Sequence, residues 1–181
     1  MRPGNAALKR LALLSLVLLG LNGCAISEAE RLYNRGVHTR DLGRMVKFYT
    51  QAIELEPDFM SAYNIRGNAS NKRGLYDKAI SDLNKAIELN SEFHLPYYNR
   101  GYTYQVTGQY DRAIQDYNDA IRLEPDFALA YNDRGLTYSK MGLHDRAIAD
   151  GTKAINLFEI KGNKKGLAFV YGNRGYLYQE K

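Results

Sequence analysis

Hydrophobic positions follow two regimes along this chain. The first is a continuous block, Leu11 to Leu19, broken only by Ser15. The second begins near residue 28, where apolar and polar residues mix in a pattern that returns at a fixed interval. Aligned by that interval, three stretches read YNIRGNASNKRGLYDKAISDLNKAIELNSEF, YYNRGYTYQVTGQYDRAIQDYNDAIRLEPDF and YNDRGLTYSKMGLHDRAIADGTKAINLFEI. Gly67, Gly101 and Gly135 are evenly spaced, and Gly74, Gly108 and Gly142 keep the same interval. Ala52, Ala86, Ala120 and Ala154 extend the register through a fourth unit. A period of about 34 residues marks a stack of supersecondary units, none of which buries its own apolar face.

Each unit reads as two antiparallel helices. Small residues stand where the backbones meet: the first glycine, then Ala79, Ala113 and Ala147, then the later alanine. Tyr63, Tyr97, Tyr131 and Tyr171, with Ile80, Ile114 and Ile148, fill the space around them. A glycine inside a helix costs about 1 kcal/mol against alanine, so close packing has to offset it. Gly74, Gly108 and Gly142 mark the turn between helices, and Pro57 and Pro125 stop the second helix, because proline cannot continue the backbone ladder.

From about residue 28 onward the chain resembles the tetratricopeptide repeat family. The period, both small-residue positions, the aromatic before the first glycine and the closing EPDF recur together. The resemblance implies an all-α fold, a right-handed α-solenoid of antiparallel helix pairs. Its units are expected at about 28–58, 59–92, 93–126 and 127–160, then a loop and a capping helix at about 166–181. Two spacings deviate. Gly36 to Ala52 is 16 residues where Gly67 to Ala86 is 19, which predicts a tighter or kinked turn in unit one. Gly135 to Gly175 is 40, and the surplus around EIKGNKKGLAF predicts a longer helix end or a Gly/Lys-rich loop. Tyr171, Leu177 and Tyr178 are apolar for a cap, so part of that face is expected to seek a partner.

The N-terminal block changes the picture of location. Arg2, Lys9 and Arg10 precede it without an acid, and small residues follow it, the build of a secretory signal, residues 1–23. It is shorter than the roughly 20 apolar residues of a membrane-crossing helix, which leaves an uncleaved anchor as the second reading. LNGC, residues 21–24, resembles the bacterial lipobox, although Asn22 departs from the small residue usual there. That resemblance implies a diacylated Cys24 as the mature N-terminus, with 24–27 as a lipidated linker; an idle buried cysteine is the alternative. Cys24 is the sole cysteine, so no intrachain disulfide forms. Two or three acyl chains, at about 0.8 kcal/mol per buried methylene, give a stable tether. Ala25 fits, by the same resemblance, an outer-membrane position facing the periplasm of a two-membrane bacterium. Without the signal, 22 basic residues face 20 acidic ones, a net charge of +2 instead of +5, and nucleic-acid binding gains no support.

Candidate chemistry is sparse. His38, His94 and His144 occupy unrelated repeat positions, with no second metal ligand at helical spacing. Nucleophile-elbow, phosphate-loop and dinucleotide signatures are absent. No catalytic residue, metal, cofactor or small-molecule substrate is expected, and the chain is not expected to be an enzyme. Arg35, Arg66, Arg100, Arg134 and Arg174 each precede a first glycine, and Asp82, Asp116 and Asp150 recur in the second helices. A row of guanidiniums alone suggests phosphate; the matching aspartates favour a structural network of Arg66, Arg100 and Arg134 with Asp82, Asp116 and Asp150. Phe48 replaces the aspartate in unit one, leaving Arg35 the member expected to be free.

In the family this chain resembles, first helices line a concave groove. There the residues offered for ligand contact are Asn34, Asn64, Asn68, Tyr98, Asn99, Tyr102, Asn132 and Asn173. Asparagine pairs with a peptide backbone through both donor and acceptor, and tyrosine adds amphipathic contact area. Ile65 and Asp133 interrupt this ladder. The family's carboxylate clamp is not matched: Asn68 and Asn99 suit it, but Leu129 and Asp133 stand where its basic groups belong. A solvated polar face is the plainer reading of the row. The expected function is a lipid-tethered scaffold that holds a peptide segment of a cell-envelope protein, with a regulator of a cell-wall enzyme or a glycan-binding module as the alternative.

Overall fold

The computed structural model describes residues 26–179, and every regular element among them is an α-helix. The helices are α1 (Glu28–Val37), α2 (Leu42–Leu55), α3 (Met60–Lys72), α4 (Tyr76–Leu89), α5 (His94–Val106), α6 (Tyr110–Leu123), α7 (Ala128–Lys140), α8 (His144–Ile160) and α9 (Lys164–Gln179). The segment expected to be a signal, residues 1–23, and Cys24 of the expected lipobox lie outside the described residues. No described helix is long and apolar enough to cross a membrane.

Local chemistry starts and stops these helices. Ser27 opens α1 with a reciprocal capping box: the Glu30 amide donates to Ser27 Oγ at 3.1 Å, and the Ser27 amide donates to Glu30 Oε2 at 3.0 Å. Asp41 caps α2 by accepting from the Arg44 amide at 2.9 Å. The turns inside units two to four need a left-handed residue, which glycine supplies without a Cβ penalty: Gly74, Gly108 and Gly142 have φ of 72°, 77° and 74°. The following amides of Leu75, Gln109 and Leu143 close back onto the carbonyls of Ser70, Tyr104 and Tyr138 at 2.8–2.9 Å.

The helices pair as α1/α2, α3/α4, α5/α6 and α7/α8, and each second helix also packs on the next first helix. First helices touch in succession, α3 to α5, α5 to α7 and α7 to α9, which sets them along the inner side of an α-solenoid. Inside each pair a glycine meets a filler. A Cβ on Gly36 would come 2.7 Å from the Tyr49 ring, one on Gly67 2.9 Å from Leu83, and one on Gly101 3.0 Å from Tyr117. Tyr49, Leu83 and Tyr117 are fully buried and recur at the repeat interval, a second-helix series that attention to the alanines overlooks. In unit four the slot holds Gly151, and Gly135 rests directly on the Ala147 carbonyl.

Both irregular spacings resolve within helices. α1 has 10 residues where α3, α5 and α7 have 13, so the deletion in unit one shortens the helix rather than the turn. The connection from α1 to α2 is in fact longer, His38 to Asp41 against Arg73 to Leu75. The surplus after unit four extends α8 to 17 residues against 14 in α4 and α6, and a short turn through Gly162 at φ 61° leads into α9. The added turn of α8 starts at Phe158, which joins Leu157, Ala128, Ala154, Ile155 and Val170 in an apolar cluster.

The Tyr49 hydroxyl is buried without a hydrogen-bond partner among the described residues, and desolvation pushes its pKa up to about 12. Removing an unpaired buried hydroxyl while keeping the ring should stabilise by about 1 kcal/mol. Tyr49→Phe is expected to raise the thermal midpoint; a lowered midpoint would show that the hydroxyl has a partner.

Candidate peptide-binding groove

Two polar seams cross the array, and they decide which side chains remain for a ligand. The first is the arginine row. Arg66 Nε and Nη2 donate to Asp82 at 2.8 and 2.7 Å while Nη1 reaches Thr50 Oγ1 at 3.0 Å. Arg100 grips Asp116 at 2.8 and 2.7 Å and Asn84 at 2.6 Å; Arg134 grips Asp150 at 2.7 Å twice and Asn118 at 2.6 Å. Each guanidinium therefore joins its own two helices to the second helix of the preceding unit. The rings of Tyr63, Tyr97 and Tyr131 lie 5.5, 5.8 and 5.4 Å from the three cations. Burial lifts the Asp116 carboxyl above its ordinary range, and Arg100 only partly reverses it, as expected where desolvation competes with pairing. Sequence reasoning missed Thr50, Asn84 and Asn118, although they too recur at the repeat interval.

The second seam corrects the asparagine proposal. Asn64 and Asn132 are only 6% and 3% exposed, so they are closed to a ligand. Asn99 Nδ2 donates to Asn64 Oδ1 at 2.9 Å, and Asn68 Nδ2 reaches Asn99 Oδ1 at 3.4 Å. Tyr98 donates its hydroxyl proton to Asp133 Oδ2 at 2.8 Å, and Asn132 Nδ2 donates to Asp133 Oδ1 at 2.8 Å. Asn71, absent from the proposed row, donates to Thr103 Oγ1 at 2.8 Å. Adjacent first helices approach along this line, so its amides satisfy one another instead of facing a peptide. Asn64 and Tyr98 thus bond between repeats, Asn132 is buried and braces Asp133 on its own helix, and Asn68 and Asn99 are half-buried and engaged with each other. Asn34 alone of the described asparagines in the row is exposed, beside a cavity of about 420 Å³ lined by Ile26, Glu30, Tyr33, Phe59 and Ser61. The Asn173 side chain lies outside the described set.

What faces outward on the inner side is less polar. Tyr102 and Val106 are 44% and 43% exposed, one helical turn apart on α5. Beside them a cavity of about 840 Å³ opens between α5, α7 and α9, lined by Gln105 to Gly108, Tyr110, Leu136, Lys140 and Gly172. Leu136 and Lys140 are likewise one turn apart on α7. The lining mixes Val106 and Leu136 with the polar Gln105, Thr107 and Tyr110 and one ammonium, Lys140, so it can take an apolar side chain flanked by hydrogen-bonding groups. Tyr102 is legible in the sequence; Val106, Tyr110 and Lys140 are not, because they follow it by a turn or belong to the next helices. Among the described residues no group of three or more His, Cys, Asp or Glu is placed to hold a metal.

Family models described as TPR repeat match residues 67–108 and 106–142, and one described as tetratricopeptide repeat matches 128–159. Together they span 67–159, just over half of the 181 residues. The chain belongs to the tetratricopeptide repeat family. No curated protein matches the sequence. Among solved structures, the crystal structure of MamA protein is similar over 83% of this chain and 85% of that one, at 24% identity and a TM-score of 0.65. The TPR2B domain of yeast Sti1, solved in complex with pHsp70, is similar over 67% of this chain and 98% of that one, at 17% identity and TM-score 0.64. The first TPR of Spaghetti (RPAP3), bound to the HSP90 peptide SRMEEVD, aligns over 66% of this chain and 99% of that one, at 22% identity and TM-score 0.61. These likenesses establish the fold of the tetratricopeptide array and nothing narrower.

Asp133 gives this array a pH signature. Burial raises its pKa above the ordinary 3.8, only partly offset by the Tyr98 and Asn132 donors, and no cation meets it among the described residues. The folded chain therefore holds that proton more tightly than the unfolded one. The ionic penalty is present at neutral pH, shrinks as pH falls through the raised value, and is gone below 3.8. Asp133→Asn should raise stability at pH 7, with the gain over wild type shrinking towards pH 4. Denaturant melts at both pH values check this; a gain that stays constant with pH would refute it.

Proposed function

We propose that this tetratricopeptide repeat protein is a non-catalytic adaptor, held at a cell-envelope membrane through acylated Cys24, that binds a segment of an envelope protein in the cavity between α5, α7 and α9. The observation that carries the reading is the cavity itself: exposed Val106 lines it with Leu136 and Lys140, and exposed Tyr102 stands one turn before Val106 on α5. The peptide-bound state of Spaghetti, on the same fold, supports a peptide as occupant. The ligand chemistry differs from an acidic chain end, since Asp133 and not a base lies buried along the α5–α7 seam. An apolar side chain in the recess, with a backbone carbonyl or carboxylate near Lys140, fits these residues. Confinement to a membrane raises the effective concentration of a client, so a shallow groove acts at modest affinity.

Replacing Tyr102 with a photoreactive residue in intact cells should yield protein adducts; adducts to glycan alone would overturn the scaffold and favour the glycan-binding alternative. Val106→Asp is expected to reduce recovery of those partners about tenfold or more with little change in melting temperature, because its side chain is already exposed. Cys24→Ala should release the protein from membranes with the helical array intact. Retention on membranes after a salt wash would refute the lipid anchor.

A further inference from the structure

Unit one departs from the other units at the position that changes charge. Arg44, Lys47 and Phe48 align with Lys78, Ser81 and Asp82, with Arg112, Gln115 and Asp116, and with Arg146, Ala149 and Asp150. Counting the arginine before each first glycine, units two to four carry a net +1 at these positions and unit one carries +3. The structure gathers the excess in one place. Arg35, Arg44, Lys47, Phe48 and Gln51 line a cavity of about 440 Å³ that contains three cations and no carboxylate.

The Arg35 guanidinium lies over the Phe48 ring at 4.6 Å, so an aromatic face occupies the place of the missing aspartate. Among the described residues, its N–H donors meet no acceptor. Arg35, Arg44 and Lys47 are all exposed. The one acid between residues 31 and 47 is Asp41, which caps α2, against Arg31, Arg35, Arg40, Arg44 and Lys47. Arg31 is drawn to Glu28 at 3.6 Å. An unneutralised guanidinium beside two further cations suits phosphate-bearing groups, which accept its forked donors in pairs.

Position selects the occupant. α1 begins four residues after Cys24 and its 10 residues extend about 15 Å. With Cys24 acylated, as proposed above and as this inference requires, unit one is the part of the array nearest the bilayer. Val37 follows the first glycine of its unit as Tyr102 and Leu136 follow theirs, which assigns it by register to the inner side, and Arg35 stands about 200° round α1 from it, so contact through Arg35 leaves that side open.

We propose that the basic cavity of unit one docks the array onto anionic lipid headgroups, orienting the tethered solenoid with its groove away from the membrane. Each cation close to an anionic leaflet strengthens attachment about fivefold at moderate salt, so three set an orientation that a flexible acyl linker alone leaves free.

The chain has no tryptophan, so Phe48→Trp places a unique fluorophore in the cavity. The full protein, purified from membranes, is reconstituted into phosphatidylcholine vesicles or vesicles containing phosphatidylglycerol. Acrylamide quenching of the indole is expected to be about twofold or more weaker with phosphatidylglycerol, and the difference to vanish in about 0.5 M salt, where the screening length is only a few Å. The added exchange of Arg44→Glu and Lys47→Glu, both exposed, should abolish the difference without altering the thermal melt. Equal quenching in the two lipids, or a difference that survives the charge reversal, would overturn the docking. Mass spectrometry of the same preparation reads acyl groups on Cys24. A lipidated protein without lipid-dependent quenching defeats this inference alone, and absence of acyl groups defeats the anchor on which it rests.

Discussion

The arginine node is the interaction that holds the array in register. A helix pair of this size cannot bury its own apolar face, so the stack is stable only where successive pairs keep one relative placement. Apolar contact between smooth helices supplies attraction but tolerates sliding. Arg66, Arg100 and Arg134 remove that freedom, because each plane must satisfy an aspartate on its own second helix and Thr50, Asn84 or Asn118 on the preceding one. The pairs are largely desolvated and return little net free energy for the burial they require. Their value is geometric: one arrangement engages all three guanidinium nitrogens at once, and displaced arrangements leave a buried charge unmet. Unit one has no described second helix before it, and there the node's aspartate gives way to Phe48. The cation freed from structural duty, Arg35, lies exposed over the Phe48 ring.

A second seam, on the inner side, has the same logic with neutral groups. Asn64, Asn99 and Asn68 form a chain of amides between α3 and α5, and Tyr98, Asn132 and Asp133 continue the contact between α5 and α7. Buried amides and carboxylates are costly unless paired, and neighbouring repeats are the nearest partners. The groove is therefore less polar than its sequence suggests. The side chains left open there are Tyr102, Val106 and Lys140, with Leu136 half-buried beside them, about one turn further along the helices.

Departures from the period sit where the array ends or changes neighbour. α1 is cut short by about one turn beyond Gly36, and Tyr49 closes the gap against that glycine with a hydroxyl unpaired among the described residues. At the other end α8 is extended, and Gly166 of α9 lies against the Phe158 ring, so the last helix packs on a contact unlike the internal Gly36, Gly67 and Gly101 contacts. His94, half-buried and packed edge-on against Phe127 at 4.8 Å, is a packing side chain whose pKa burial lowers.

The helical repeat is written in one dimension, because a fixed period carrying two small positions and a turn glycine admits one supersecondary unit. So is the arginine that lacks an aspartate, since Phe48 is a substitution in register. Which polar side chains face a ligand is a three-dimensional matter. Asn64 and Asn99 occupy neighbouring positions on successive first helices and look equivalent to their exposed counterparts along the chain. Whether such an amide meets water or another amide depends on how closely those helices approach, which is set jointly by glycine contacts inside each pair and arginine nodes between pairs. A periodic sequence states what each unit contains; the angle between units, summed over many contacts, decides what the stack leaves open.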